Sequence, residues 1–413
     1  MKTRVLKQFN LKRNVIGLLI VIMLVLCISL FMKNKTNTLN NTSINEESIV
    51  EELDDNLIGA YIQQGEEYVK ADTIPTSGYE FNAEESYCKI GDVVQEDMTL
   101  FYDMDTQSLT VSPIAKEGTK CYLYFDEKAS GGDYILASDN PPTGQTTDWT
   151  GGTTYYYTGK PNNWVQFAGF WWRIIRINGD GSIRMIYQGT SANETGTGTQ
   201  IGTSAFNNSS GDNAYVGYMY TGGERQGHDD PSTIKGILDT WYNNNLATNY
   251  GEYSDGNAGF CGDRRISRGL GTGIISTSYQ PPTRVNNNSP SLSCEDADIY
   301  TTSGSSTGNK ALTYPIGLIS ADEAMFAGIP NENSSNSNNY LYTGQYYWTM
   351  SPSWYDYGKG AHVFYVRSSG YLDDDSNVTW TTGPGVRPVI NIRADIQLTG
   401  SGTISDPFKV VGA

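Results

Sequence analysis

Apolar residues occur in two patterns along this 413-residue chain. The first is a single uninterrupted run, Val15 to Met32, with no charged residue in it. Its length suits a helix crossing the hydrocarbon core of a bilayer. Lys12 and Arg13 stand just before it. That placement predicts a cytoplasmic N-terminus with the bulk of the chain exported. A cleaved signal peptide is the alternative, although Ile28-Ser29-Leu30-Phe31 offers no small-residue cleavage site. Lipidation would need a small residue before Cys27, and Leu26 stands there.

The second pattern is a series of short apolar runs separated by Gly, Asn, Ser and Pro clusters, the signature of strands and turns. Strands are expected over Phe101–Val111, turning at Asp103–Asp105, and over Lys120–Phe125. The aromatic and β-branched run Trp164–Ile177 leads through Asn178-Gly179-Asp180-Gly181 into Ser182–Tyr187 and predicts a hairpin. Arg173, Arg176 and Arg184 lie inside these runs and are expected to pair with acids at strand edges. Leu312–Ile319 reads as another strand. Three further buried strands, Tyr346–Pro352, Ala361–Val366 and Gly385–Ile390, organise the C-terminal part.

Helical spacing is rare. Ile234, Ile237, Leu238 and Trp241 recur at helical intervals after Asp230-Pro231-Ser232, where Asp230 or Ser232 is placed to cap and Pro231 suits the first turn. Ser320-Ala321-Asp322-Glu323 has the form of a capping box and predicts a helix from Ala321 to Ala327, ended by Gly328.

These patterns divide the chain into a cytoplasmic tail (1–14), a transmembrane helix (15–32), a stalk (33–58), a small β module (59–127) and a head (128–413). Charge sharpens the picture. The net charge is −17, with 28 basic residues against 45 acidic ones. A surface this acidic repels phosphate backbones, so no nucleic acid partner is expected. The 29 tyrosines suit either half-exposed strand positions or a binding surface.

Cys88 and Cys121 lie 33 residues apart, as do Cys261 and Cys294. Outside a cell such pairs form disulfides. The second pair would close a long polar excursion containing Arg264, Arg265 and Arg268.

The capped Leu318-Ile319-Ser320-Ala321-Asp322-Glu323-Ala324, the strand Tyr347-Trp348-Thr349-Met350-Ser351-Pro352 and the terminal Gly385-Val386-Arg387 together resemble the C-type-lectin-like fold. More narrowly they resemble its formylglycine-generating-enzyme-like branch, as in membrane-anchored surface proteins of low-GC gut bacteria. The resemblance spans roughly residues 150–395. It implies an α+β head of twisted antiparallel sheets with two short helices. The closely placed active-site cysteines of the oxidase are missing, so that activity is not carried over. The calcium-dependent sugar motifs Glu-Pro-Asn and Trp-Asn-Asp are absent as well.

No catalytic signature stands out. The two histidines, His228 and His362, are expected to serve capping and structural roles, and no phosphate loop occurs. The chain is therefore not expected to be an enzyme. Two candidate features remain. Trp354, Tyr355, Tyr357, Tyr371 and Trp380 are candidate platform residues for a ligand, although some must belong to the core. Asp373, Asp374, Asp375 and Asn377 form a cluster suited either to calcium or to a solvated hairpin tip. The resulting expectation is a single-pass membrane protein, its bulk extracellular. Its head would hold a glycan or protein ligand in loops around 353–360, 367–384 and 262–293. A divergent oxidase, a diversified receptor and a structural envelope protein are the alternatives.

Overall fold

The computed structural model describes residues 48–50, 58–65, 67–75, 79–104, 106–127, 130–192, 195–331 and 335–413. The proposed transmembrane segment, 15–32, lies outside these residues. Among the described residues, no helix is long and apolar enough to cross a membrane. The chain forms two compact units, Met1–Glu127 and Lys128–Ala413.

The first unit is built from two sheets. Ser48–Val50, Ser108–Ser112 and Thr99–Asp103 make a three-stranded sheet, so three residues of the expected stalk act as a strand. Glu67–Ala71, Ile58–Gln64, Thr119–Glu127, Tyr79–Ile90 and Val93–Val94 follow one another in a five-stranded sheet. Alternation along Thr119–Glu127 sends Cys121, Leu123 and Phe125 inward, against Leu100, Tyr102, Leu109 and Val111 of the smaller sheet. Cys88 and Cys121 stand directly opposite on adjacent strands and form a disulfide.

Among its described residues the second unit has four α-helices: α1 (Gly131–Leu136), α2 (Thr233–Asn245), α3 (Gln280–Asn286) and α4 (Ala321–Phe326). Its main sheet has nine strands. Ile316–Gly317, Val389–Ile392, Ile183–Gly189, Phe170–Ile177, Trp164–Phe167, Phe408–Val410 and Leu398–Thr399 follow in order, and Thr153–Tyr156 and Gly144–Thr147 branch off Phe170–Ile177. A five-stranded sheet holds Ile266–Arg268, Thr277–Tyr279, Tyr347–Asp356, Gly360–Val366 and Leu372–Asp373. One continuous apolar cluster draws on both sheets, with Trp172, Ile174 and Met185 from one and Tyr347, Trp348 and Val363 from the other.

The expected α+β balance is not what forms. Among the described residues, strand accounts for 36 % and helix for 13 %, so the protein is mostly β. The physical reason is helix length: α1 and α4 have 6 residues each and α3 has 7. Helices this short serve as corners between strands and do not form a layer of their own.

Several local features differ from the expectation. The run Trp164–Ile177 is itself a hairpin, because Ala168 (φ 55°) and Gly169 (φ 76°) turn the chain between two strands. Asp230–Pro231 is a short strand, and Ser232 alone caps α2 by accepting the Lys235 N–H. The Leu312–Ile319 strand shrinks to Ile316–Gly317. Tyr347–Asp356 runs well past Pro352, with irregular pairing on both sides of that proline. Val389–Ile392 does not join it but lies in the nine-stranded sheet. Gly385 links the two, since the Trp348 N–H donates to its carbonyl at 3.1 Å.

Candidate functional site

The extension of Tyr347–Asp356 changes what the 353–360 segment is. It is the end of a strand, followed by the turn Tyr357–Lys359. The turn closes on Gly360 (φ +86°), where a Cβ would approach Asn377 Nδ2 to 2.5 Å. Pleating then sorts neighbouring aromatics. Tyr355 points inward, 2 % exposed, and its hydroxyl donates to the Gly211 carbonyl at 3.0 Å. Trp354 points to the other side and remains half-buried.

Trp354 is held in place. Its ring stacks on His362 with centroids 3.6 Å apart and planes 16° from parallel. The ammonium of Lys359 lies 5.6 Å from the ring centre. The tryptophan forms one wall of a groove of about 500 Å³, with Arg268, Ser276, Ser278, Asp356 and Lys359 around it. Ser276 Oγ donates to Asp356 Oδ2 at 3.1 Å. The groove thus offers one fixed aromatic surface, two cations, one carboxylate and the hydroxyls of Ser276, Thr277 and Ser278. Burial holds the His362 imidazole below its ordinary titration range. The ring beneath Trp354 is therefore neutral at physiological pH.

The five predicted aromatic residues do not converge. Trp354 and Tyr357 flank the same turn, and Tyr357 is exposed at 74 %. Tyr355 belongs to the core. Trp380 packs among Tyr346, Trp348 and Tyr365, with ring centroids 5.5–6.4 Å away. Tyr371 lies elsewhere, beneath the Arg367 guanidinium at 5.5 Å.

The predicted acidic loop does bring its carboxylates together. Ligand atoms of Asp373, Asp374 and Asp375 all lie within 4.8 Å of one another. Each is already engaged. Asp373 accepts from the Arg367 guanidinium and from the backbone N–H groups of Asp374 and Asp375. Ser353 donates its hydroxyl to Asp374. Arg367 also approaches Asp375 at 3.9 Å. The guanidinium supplies the positive charge that a cation would otherwise bring. Asn377 turns away, its amide donating to the Lys359 carbonyl at 2.6 Å. Burial raises the Asp374 carboxyl above its usual value.

A second depression was only partly legible in the sequence. Arg225, Arg265 and Arg284 line a cleft of about 610 Å³ with Ile266, Gln280, Ser291, Ser293 and Glu295. The Cys261–Cys294 disulfide lies at its base in sequence terms: Cys261 opens the segment carrying Arg265, and Cys294 separates Ser293 from Glu295. Residues 266–279 border both depressions, Ile266 in the cleft and Arg268 with 276–278 in the groove. The 262–293 excursion pointed here, but Arg225 and Glu295 are brought in from outside it.

Beneath the cleft runs a buried charge network. Glu323, fixed by the capping box of α4, receives Arg176 Nε at 3.0 Å and lies 2.5 Å from Arg184 Nε. Burial alone would raise the Glu323 carboxyl, but Arg184 and Arg176 outweigh it and hold it below the usual glutamate range. These arginines pair in the interior and not at strand edges. Arg387, from the terminal Gly-Val-Arg, donates to Tyr187 O, Gln188 Oε1 and Leu341 O and is likewise structural.

Comparison with family models, curated proteins and solved structures gives no match for this chain.

Proposed function

We propose that this chain is a non-catalytic, extracellular binding protein that takes a glycan in the groove beside Trp354. The observation that carries this reading is the pinned tryptophan. An aromatic face fixed on His362, ringed by hydroxyls and by charges of both signs, suits a sugar ring that offers C–H groups on its face and hydroxyls at its edge. Two disulfides support an oxidising compartment, outside the cytoplasm. The apolar run 15–32 supports a single-pass anchor with the C-terminal bulk outside the cell. Neither histidine contributes to a nucleophile or proton-relay geometry in this reading. His362 is a stacking partner and His228 bonds the Gln226 carbonyl.

The test is a glycan-array screen of the full chain, followed by titration of any hit. Trp354→Ala is expected to abolish binding without altering the melting temperature by more than a few degrees. Absence of binding to every glycan, or binding indifferent to Trp354, overturns the reading.

A further inference from the structure

We propose that the arginine-lined cleft takes the carboxylate of an acidic sugar. This rests on reading the chain as glycan-binding and adds the charge of the ligand to it. Three guanidiniums face the cleft against one lining carboxylate, Glu295, in a protein whose net charge is −17.

Two more carboxylates, Asp263 and Asp322, stand behind the arginines, 3 % and 4 % exposed. They make the ensemble neutral in total, but the charge is separated, with acids behind and donors in front. Asp263 accepts from Arg265 Nε at 2.6 Å, from Arg265 Nη2 at 2.9 Å and from Arg284 Nη2 at 2.6 Å. Asp322 accepts from Arg284 Nε at 2.7 Å and Nη2 at 2.8 Å. Both arginines are therefore set in fixed orientations before any ligand arrives, which lowers the ordering cost of binding. Burial alone would lower the Arg284 pKa, but hydrogen bonds and charge from Asp322 and Asp263 outweigh it and keep the group ionised.

Donors remain free for a ligand. Arg284 Nη1 has no hydrogen-bond partner among the described residues, and Arg265 Nη1 meets only the Ser293 hydroxyl, at 3.2 Å. Arg225 Nη2 donates to Gln226 Oε1 at 2.8 Å and lies 3.4 Å from Glu295, the Arg225 and Glu295 side chains being 30 % and 44 % exposed. Exposed pairs of this kind contribute little and yield to a better acceptor. A guanidinium fork matches a planar carboxylate through two parallel hydrogen bonds. Gln280, Ser291 and Ser293 add neutral groups for sugar hydroxyls, and the volume lies in the usual range for small-ligand sites.

The experiment is calorimetric titration of the full chain with three probes: a glucuronic-acid-containing oligosaccharide, its neutral glucose counterpart and inorganic sulfate. The uronate is expected to bind more tightly than the neutral sugar by about tenfold or more. That advantage should shrink at high salt. It should vanish in both Arg225→Gln and Arg265→Gln, while Arg225→Gln, at a half-exposed position, keeps its melting temperature. Equal binding of acidic and neutral sugars overturns this inference and leaves the Trp354 groove standing. Uronate binding that survives both arginine variants also overturns it, as does sulfate binding as tight as the uronate. Arginine-dependent uronate binding with no neutral-sugar binding supports the cleft. No binding by either sugar overturns this inference, and the groove then stands or falls on the glycan array.

Discussion

Glu323 Oε1 lies 3.0 Å from Arg176 Nε, and both side chains are almost wholly buried. Arg184 completes the arrangement from the neighbouring strand of the nine-stranded sheet. One carboxylate at a helix start thus faces two guanidiniums inside an apolar sheet, and buried Asp148, 4.0 Å from Arg176 Nη1, supplies the second negative charge. Removing it takes away the carboxylate that pairs with Arg184 and leaves Arg176 with Asp148. Glu323→Gln should destabilise the second unit by roughly 3–5 kcal/mol, the usual cost of breaking a buried pair. Urea unfolding of wild type and variant measures it, and a loss below about 1 kcal/mol would mean that water reaches the network.

The same carboxylate has a pH signature. Its folded pKa is depressed, so the unfolded chain takes up its proton first. The stability it contributes is present above the ordinary glutamate value of 4.5 and is lost as the pH falls through the folded value. Melting temperatures of wild type and Glu323→Gln should differ most near neutrality and converge in acid. A gap that does not narrow in acid would mean that the carboxylate is not held ionised by its arginines.

Trp354 and Tyr355 are adjacent in sequence but face opposite sides of one strand. Tyr355→Ala should cost roughly 3–5 kcal/mol, as for a large buried ring. Trp354→Ala should cost less, since its ring is half-buried. Thermal unfolding of the two variants side by side measures the difference. Equal losses would mean that Trp354 is a core residue.

Arg367 stands where the aspartate loop would receive a cation. Calcium should therefore leave the melting temperature of the wild-type chain unchanged. In Arg367→Ala, the three carboxylates lose their counter-charge, and calcium should raise the melting temperature. A calcium-dependent shift in the wild type would show that the metal displaces the guanidinium.

The sequence carried the strands well because their signals are local. Phe170–Ile177, Tyr347–Pro352 and Gly360–Val366 are dense in aromatic and β-branched residues, and the Ser320–Glu323 capping box sits where its spacing placed it. Arg387 sits beside valine and proline in a buried run, which suits its structural role. The class balance was not legible, because short helices that turn corners leave the same capping signals as longer ones. Nor was the orientation of the aromatics. Tyr347–Asp356 is buried on both faces over most of its length, Thr349, Ser351 and Ser353 included, so alternation gave no way to separate Trp354 from Tyr355. The arginine cleft was hidden for another reason: Arg225 and Glu295 are 70 residues apart and meet only through the fold. The apolar run 15–32, the strongest single sequence signal, lies outside the described residues.

The most direct test of the account is titration of the full chain, wild type and Trp354→Ala, with a glycan found by array screening, followed by tryptophan fluorescence. Saturable quenching is expected in the wild type and none in the variant, with both proteins folded. Binding that is unchanged in Trp354→Ala, or no binding to any glycan, would contradict it.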